Sequence, residues 1–147
     1  MPARDVTIRL HQSQDPTLRA WLTLRVERHD DTRFAITGDA AAAVARDPVC
    51  FMHPLSPAEA QVLKAEILNG LLIARKKHGP FGCSADLRVL GGSRGDQRNA
   101  AEVPGLAYAV AATLALLHGL GILDLVAQPR GGYDWSLESI EVADAAG

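Results

Sequence analysis

Two cysteines are the residues in this sequence best suited to nucleophilic chemistry, and each has a polar neighbour three positions along the chain. Cys50 precedes His53, and Cys83 precedes Asp86. A catalytic thiol needs a base that takes its proton or lowers its pKa. These two are the only close pairs in the sequence, and no other nucleophile has a base at a readable spacing. An enzyme is therefore the weakest of three functional hypotheses, because lone cysteines are typical of buried thiols.

Metal chemistry is not indicated by the spacing of the potential ligands. Cys50 and His53 form a C-x-x-H pair, but a structural zinc ion needs four ligands. The run His29-Asp30-Asp31 has no further ligand at a fixed spacing and is typical of a solvated turn. We therefore predict neither a metal nor another cofactor.

Two short segments carry side chains that could bind phosphate groups. One is the polar segment 91–99, with Arg94, Gln97 and Arg98; the other ends a predicted helix, with Arg75, Lys76 and Lys77. Arginine and lysine neutralise phosphates, and such binding weakens steeply with salt. The helical run also fits compensation of the helix dipole. The formal net charge is −2, so any contact with a polyanion must be local.

Trp21 is the candidate residue for contact with another protein. It lies on the polar side of a strongly alternating segment, Leu18–Val26, and is therefore expected on the solvent-facing side of a strand. An aromatic side chain on such a face often marks an interface. Together with the slightly acidic charge balance, Trp21 supports the hypothesis of a protein-interaction or assembly module.

Strands are predicted wherever apolar and polar residues alternate with a period of two. The second and third of these strands are expected to form a hairpin through a five-residue loop. A slip in the alternation near Glu138–Ser139 indicates a β-bulge, and Ile122–Ala127 is interpreted as a further strand. The main strands are predicted at Asp5–Leu10, Leu18–Val26, Arg33–Thr37, Cys83–Leu90 and Tyr133–Val142.

Two long helices are predicted from capping signals and apolar periodicity. Ser56 and Glu59 have the spacing of a capping box, Pro57 suits the first helical position, and Gly79-Pro80 ends the helix. Its buried stripe is expected to contain Ala60, Leu63, Ile67, Leu71 and Ala74, widened by Leu68 and Leu72. The second helix follows Pro104 and is so apolar that burial on most sides is expected. A short alanine-rich helix is predicted after Asp39.

These elements predict an α+β fold, with two main helices on one face of a mostly antiparallel sheet. The 147 residues suit a single domain, 1–147, with a frayed tail at 143–147. No signal-peptide pattern or membrane-spanning segment is recognisable, so we expect a cytoplasmic protein without a membrane partner. The oligomeric state is not indicated.

Most of the chain resembles domain IV of translation elongation factor G. RDVTIRL resembles the strand that leads into that domain, and LRAWLTLRVERHDDTRFAITG resembles its first hairpin. The segment PLSPAEAQVLKAEILNGLLIARKKHGPFGCSADLRVLGGS resembles its Pro-led helix, Gly-Pro break, strand and the start of its glycine-serine tip. GLAYAVAATLALLHGL resembles its second helix. The resemblance implies a left-handed β-α-β crossover and a tip that contacts the ribosome.

The chain also departs from that family. HQSQDPT contains no glycine where the family has a glycine-rich loop, and segment 91–99 lacks the family's aromatic–histidine pair. A GTPase domain does not fit in 147 residues. Two enzyme families with related folds fit less well. Imidazoleglycerol-phosphate dehydratases need clustered histidines, and small-molecule kinases need a glycine-rich phosphate loop before a helix.

Two functional hypotheses therefore stand beside the enzyme hypothesis. The first is a stand-alone, domain-IV-like module that contacts RNA or the ribosome without GTPase activity. The second is a non-catalytic interaction or assembly module for another protein. A basic ridge joining segment 91–99 to Arg75–Lys77 would favour the first, and an apolar patch at Trp21 would favour the second.

Overall fold

A computed structural model describes residues 2–47 and 53–145 of the chain. Five strands, three α-helices and one short 3₁₀ helix follow one another along it. In chain order they are β1 (Arg4–Gln12), β2 (Leu18–His29), β3 (Phe34–Thr37), α1 (Ala40–Ala45), α2 (Pro57–His78), β4 (Gly82–Arg94), the 3₁₀ helix (Ala100–Glu102), α3 (Gly105–Gly119) and β5 (Trp135–Asp144).

The strands form one sheet in the order β3-β4-β2-β1-β5. All neighbouring pairs are antiparallel except β3 and β4, which are parallel. This arrangement confirms the predicted α+β class and the mostly antiparallel sheet. Because side chains alternate across a strand, Ile8, Leu22 and Leu90 all point to the same face, and all three are fully buried.

The predicted hairpin between the second and third strands is wrong. β4 lies between them: Arg28 of β2 and Phe34 of β3 both pair with Cys83. Alternation in the sequence specifies which face of a strand is buried, but it does not specify the neighbouring strand. Parallel neighbours need a long crossover connection, and α1 and α2 provide it between β3 and β4. The hand of this crossover stays a prediction.

Helix α3 packs directly on the sheet and α2 packs on α3. The alanines of α3 permit this close approach, and Ala107, Ala111, Ala112 and Ala115 are fully buried. α3 contacts β1 and β2, and its partner α2 contributes Ile67 and Leu71 to the same core. The prediction that the second long helix is buried is therefore confirmed.

A complete capping box begins α2, as predicted. The Glu59 amide donates to Ser56 Oγ at 3.2 Å, and the Ser56 amide donates to Glu59 Oε1 at 3.0 Å. The hydrogen bond from the Ser56 backbone, followed by its side-chain bond, lowers the pKa of Glu59. Because the pKa of Glu59 is lower in the folded chain than in the unfolded chain, its hydrogen bonding to Ser56 stabilises the fold at pH values above the usual carboxyl pKa. It is lost as the pH falls through the lowered pKa.

We predict that Ser56→Ala lowers the free energy of unfolding by about 1 kcal/mol, because the Glu59 amide loses its acceptor. Urea denaturation of the two chains measures the difference. Glu59→Gln is the matched control: its side-chain oxygen still accepts from the Ser56 amide, so its effect should be smaller. Equal stability of Ser56→Ala and the unchanged chain would contradict the capping assignment.

Three further expectations concern the end of the chain. The bulge is confirmed, since Arg9 pairs with Ser139 and Leu10 with Leu137, which leaves Glu138 without an opposite residue. The strand expected at Ile122–Ala127 is wrong. That segment forms turns, in which the Asp124 carboxylate accepts from the amides of Val126 and Ala127. The frayed tail predicted at 143–147 does not include its first two positions, because β5 extends to Asp144. Positions 146 and 147 lie outside the described residues.

Candidate functional surface

The polar tip between β4 and α3 is shorter than predicted. Gly91, Gly92 and Ser93 are buried within β4, and only a tight turn projects beyond the strand. The backbone groups of Arg94 and Gln97 bond each other at 2.8 and 3.1 Å, and Gly95 adopts a left-handed conformation between them. The 3₁₀ helix begins directly after Asn99, whose side chain caps it.

The two glycines inside β4 make room for large side chains on opposite faces of the sheet. A side chain on Gly92 would collide with the Tyr108 hydroxyl on the helix-covered face. One on Gly91 would collide with the indole of Trp21 on the other face. Paired glycines are typical of loops, and for that reason the strand was predicted to end at Leu90.

Of the predicted tip residues, Arg94 and Gln97 are exposed, whereas Arg98 is half-buried. Arg94 lies near Asp15, whose pKa is lowered first by the Thr17 hydroxyl and more weakly by the Arg94 charge. The positive charge at the tip therefore has an acidic neighbour from the same chain.

The second basic segment contains one structural residue and two exposed ones. The Arg75 guanidinium donates to the carbonyls of Phe81 and Thr32 and lies 5.2 Å from the centre of the Phe34 ring. It thus holds the start of β4 to the end of α2. Lys76 and Lys77 point into solvent.

The structure does not bring the two basic segments together. Arg75–Lys77 precede the first residue of β4, and Arg94 is its last residue. A strand of 13 residues is about 40 Å long, so the segments lie at opposite ends of the sheet. No continuous ridge joins them along this strand.

Ion pairs neutralise the arginines on the side of the sheet that faces away from α2 and α3. Four arginines of β1, β2 and β4 each lie within 3.6 Å of a carboxylate oxygen: Arg9 with Glu141, Arg19 with Glu138, Arg25 with Asp5 and Arg88 with Asp86. Polyanion binding to this face would require these pairs to open.

Trp21 lies on this same side of the sheet but does not form an exposed apolar patch. It is half-buried over Gly91, and its indole Nε1 donates to Asp47 Oδ2 at 2.9 Å. The alternation in β2 placed the residue correctly on the polar side. The contact with Asp47, 26 positions away, could not be seen in the sequence.

The structure separates the members of one proposed nucleophilic pair. Cys83 is fully buried on the helix-covered face. Asp86 lies three residues along the same strand and therefore points to the opposite face, where it accepts from Thr37 Oγ1. The Cys50–His53 pair lies partly outside the described residues, because Cys50 is not among them.

The structure also contains a serine–histidine contact that the sequence pattern does not predict. His29 Nε2 and Ser84 Oγ are hydrogen-bonded across β2 and β4. No carboxylate in the described chain is hydrogen-bonded to His29, so the orienting group of a catalytic triad is not present there. The described residues also contain no group of three or more His, Cys, Asp or Glu side chains arranged to hold a metal.

Burial keeps the Cys83 thiol protonated. It raises the pKa of Cys83 to about 11, against the weaker opposing effects of Arg75 and Arg28. We predict that in a Cys50→Ser chain at pH 8, a disulfide reagent labels Cys83 only after denaturant is added. Labelling of the folded chain at the rate of a free thiol would contradict this placement.

The largest departure from the predicted burial is on α2. Leu68 and Leu72 were expected in the buried stripe, but they are 37% and 47% exposed. Val62 and Ile73 are exposed by 61% and 57%. We call the surface formed by Val62, Leu68, Leu72 and Ile73 the outward face of α2. The helix is therefore apolar on two sides. In the sequence, the only sign of this is that the apolar residues cover more of the helix surface than a single buried stripe does.

A shallow groove continues this surface at the start of α2. Its volume is about 400 Å³ and it lies between α2 and the segment that leads into α3. Val62 forms one wall and Val103 and Pro104 the other. The exposed Leu106 follows directly after this second wall.

No helix among residues 2–47 and 53–145 combines the length and apolarity needed to cross a bilayer. Comparisons of the chain with models of protein families, with curated proteins and with solved structures gave no match.

Proposed function

We propose that this chain is a non-catalytic protein-interaction module that binds through the outward face of α2. The observation that carries the proposal is the exposure of Val62, Leu72 and Ile73 on a helix whose opposite side is already buried. Exposing such side chains to water is unfavourable by about 25 cal/mol for each Å² of apolar surface. Clusters of exposed apolar side chains often mark contact sites for other macromolecules.

The chemistry around the outward face supports a protein partner. The face is bordered by one acidic residue of the first helical turn, Glu59, and by Lys76 and Lys77 in the last turn. An apolar centre with charges at its rim is the usual composition of a protein–protein interface. Trp21, which the sequence pattern favours for this role, is half-buried, and its indole N–H is already hydrogen-bonded to Asp47.

Site-specific photocrosslinking in the producing cell tests this function. We expect p-benzoylphenylalanine at position 73 to give a discrete protein adduct, and the adduct to disappear when Val62→Glu is added. The matched control is position 126, whose valine is 71% exposed on the loop after α3. Equal adducts at both positions, or none at position 73, would contradict the proposal.

Contact with RNA or the ribosome is the second candidate, in keeping with the resemblance to domain IV of elongation factor G. It is supported by Arg94 and Gln97, which are exposed at the turn that ends the longest strand. The distance to Lys76 and Lys77 weighs against a single phosphate-binding surface. If this candidate is correct, retention on immobilised RNA should fall steeply between low and physiological salt, and Arg94→Ala should weaken it.

A further inference from the structure

We propose that the partner of the outward face of α2 is a second copy of this chain, bound with the two α2 helices antiparallel about a two-fold axis. This inference rests on the proposed function of the same face. It adds the identity of the partner and the register of the contact. The same surface on both copies makes the interface self-complementary, as in most two-fold dimers.

The spacing of the apolar residues fits this arrangement. Val62 and Ile73 are 11 residues apart on α2. With 3.6 residues per turn and a rise of 1.5 Å, they lie on almost the same side of the helix, about 16 Å apart. An antiparallel pair centred between Ile67 and Leu68 places Val62 of each copy against Ile73 of the other. Each apolar contact is thus formed twice.

The residues between the two contacts are small or polar. Ala65, Glu66 and Asn69 lie on the same side of α2 between Val62 and Ile73; Ala65 and Asn69 are exposed and Glu66 is half-buried. In the register that pairs Val62 with Ile73, Asn69 of one copy lies level with Glu66 of the other, so its amide can donate to that carboxylate, and polar residues within such a contact fix its register. The centre of the proposed contact is therefore polar and selective for register, with the apolar contacts to either side.

Charge complementarity selects the antiparallel direction. Glu59 and Lys77 are 18 residues apart, five full turns of the helix, and so lie on the same flank of α2. In the register that pairs Val62 with Ile73, Glu59 of one copy lies opposite Lys77 of the other, and both residues are exposed in the single chain. A parallel pair would bring like charges at each end of α2 together, which is unfavourable. The charges at the two ends of α2 thus match a second copy in the antiparallel direction.

Mixed cysteine trapping tests both the partner and the register. One chain carries Val62→Cys and the other Ile73→Cys, both in a Cys50→Ser background, with an affinity tag on one chain only. A disulfide forms only where the two Cα atoms come within about 7 Å. We expect the mixed dimer to form at least ten times faster than the Val62→Cys self-dimer. Val62→Cys mixed with Val126→Cys is the control for random collision.

Both substitutions are at exposed positions, and circular dichroism checks that the chains remain folded. A mixed dimer that forms no faster than the Val126 control overturns the proposal. A dominant Val62→Cys self-dimer overturns it in favour of the parallel direction. If trapping fails while position 73 still crosslinks to a different protein in cells, self-association is excluded and the proposed function stands. If both fail, the outward face is not an interface.

Discussion

Leu22→Ala is expected to lower the free energy of unfolding by about 2–5 kcal/mol. Leu22 lies in the strand at the centre of the sheet and is fully buried. Its neighbours across the two adjacent strands, Ile8 and Leu90, are fully buried as well. The truncation removes apolar contacts and leaves a cavity that these neighbours cannot fill without moving the sheet.

Urea denaturation followed by circular dichroism measures this loss. Leu106→Ala makes the same chemical change at a position that is 43% exposed, so we expect a much smaller effect there. Similar losses for the two variants would contradict the location of the core between the sheet and α3.

The second large effect is expected at the contact between the two long helices. A side chain on Gly70 of α2 would lie 2.8 Å from the Ala109 carbonyl oxygen of α3. The Thr113 hydroxyl also donates to the Gly70 carbonyl at 3.1 Å. Because the obstacle is backbone, Gly70→Leu must force the helices apart, and we expect it to lower the free energy of unfolding by about 1–3 kcal/mol.

The position next to Gly70 provides a control for helix propensity. Asn69 is exposed, and Asn69→Leu replaces it with a better helix former without entering the contact between the helices. Its stability should equal or exceed that of the unchanged chain. A Gly70→Leu chain that is as stable as the Asn69→Leu chain would show that α2 and α3 are not in close contact.

Local signals predicted the elements of this fold well. The Ser56–Glu59 capping box and the Gly79-Pro80 break define α2, and the slip near Glu138 locates the bulge in β5. Each of these signals lies within a few residues of the feature it specifies. The α+β class follows from the order of the elements, which the sequence gives directly.

Non-local relations could not be predicted in the same way. The order of strands depends on which pairings bury most surface, and β4 therefore separates β2 from β3 although these two follow one another in the chain. Gly91 and Gly92 belong to a strand because Trp21 and Tyr108 occupy the space above and below them. Neither the strand order nor these contacts can be recognised from the local sequence pattern.

The candidate surface was missed for a related reason. Leu68 and Leu72 are apolar residues on an amphipathic helix, and the apolar periodicity therefore predicts them in the core. Their exposure depends on where α3 packs, which is along the side of α2 that contains Gly70. Of the two basic segments, Arg94, Lys76 and Lys77 are exposed, and only the fold shows that β4 holds the segments apart.

Sedimentation equilibrium over a range of chain concentrations tests association through the outward face of α2 most directly. We predict that the unchanged chain approaches twice its mass of 15.7 kDa as the concentration rises. Ile73→Glu should remain at the single-chain mass, whereas Val126→Glu, which changes an exposed valine elsewhere, should associate normally. A mass of 15.7 kDa for the unchanged chain at every concentration, or association unaffected by Ile73→Glu, would contradict self-association through this face.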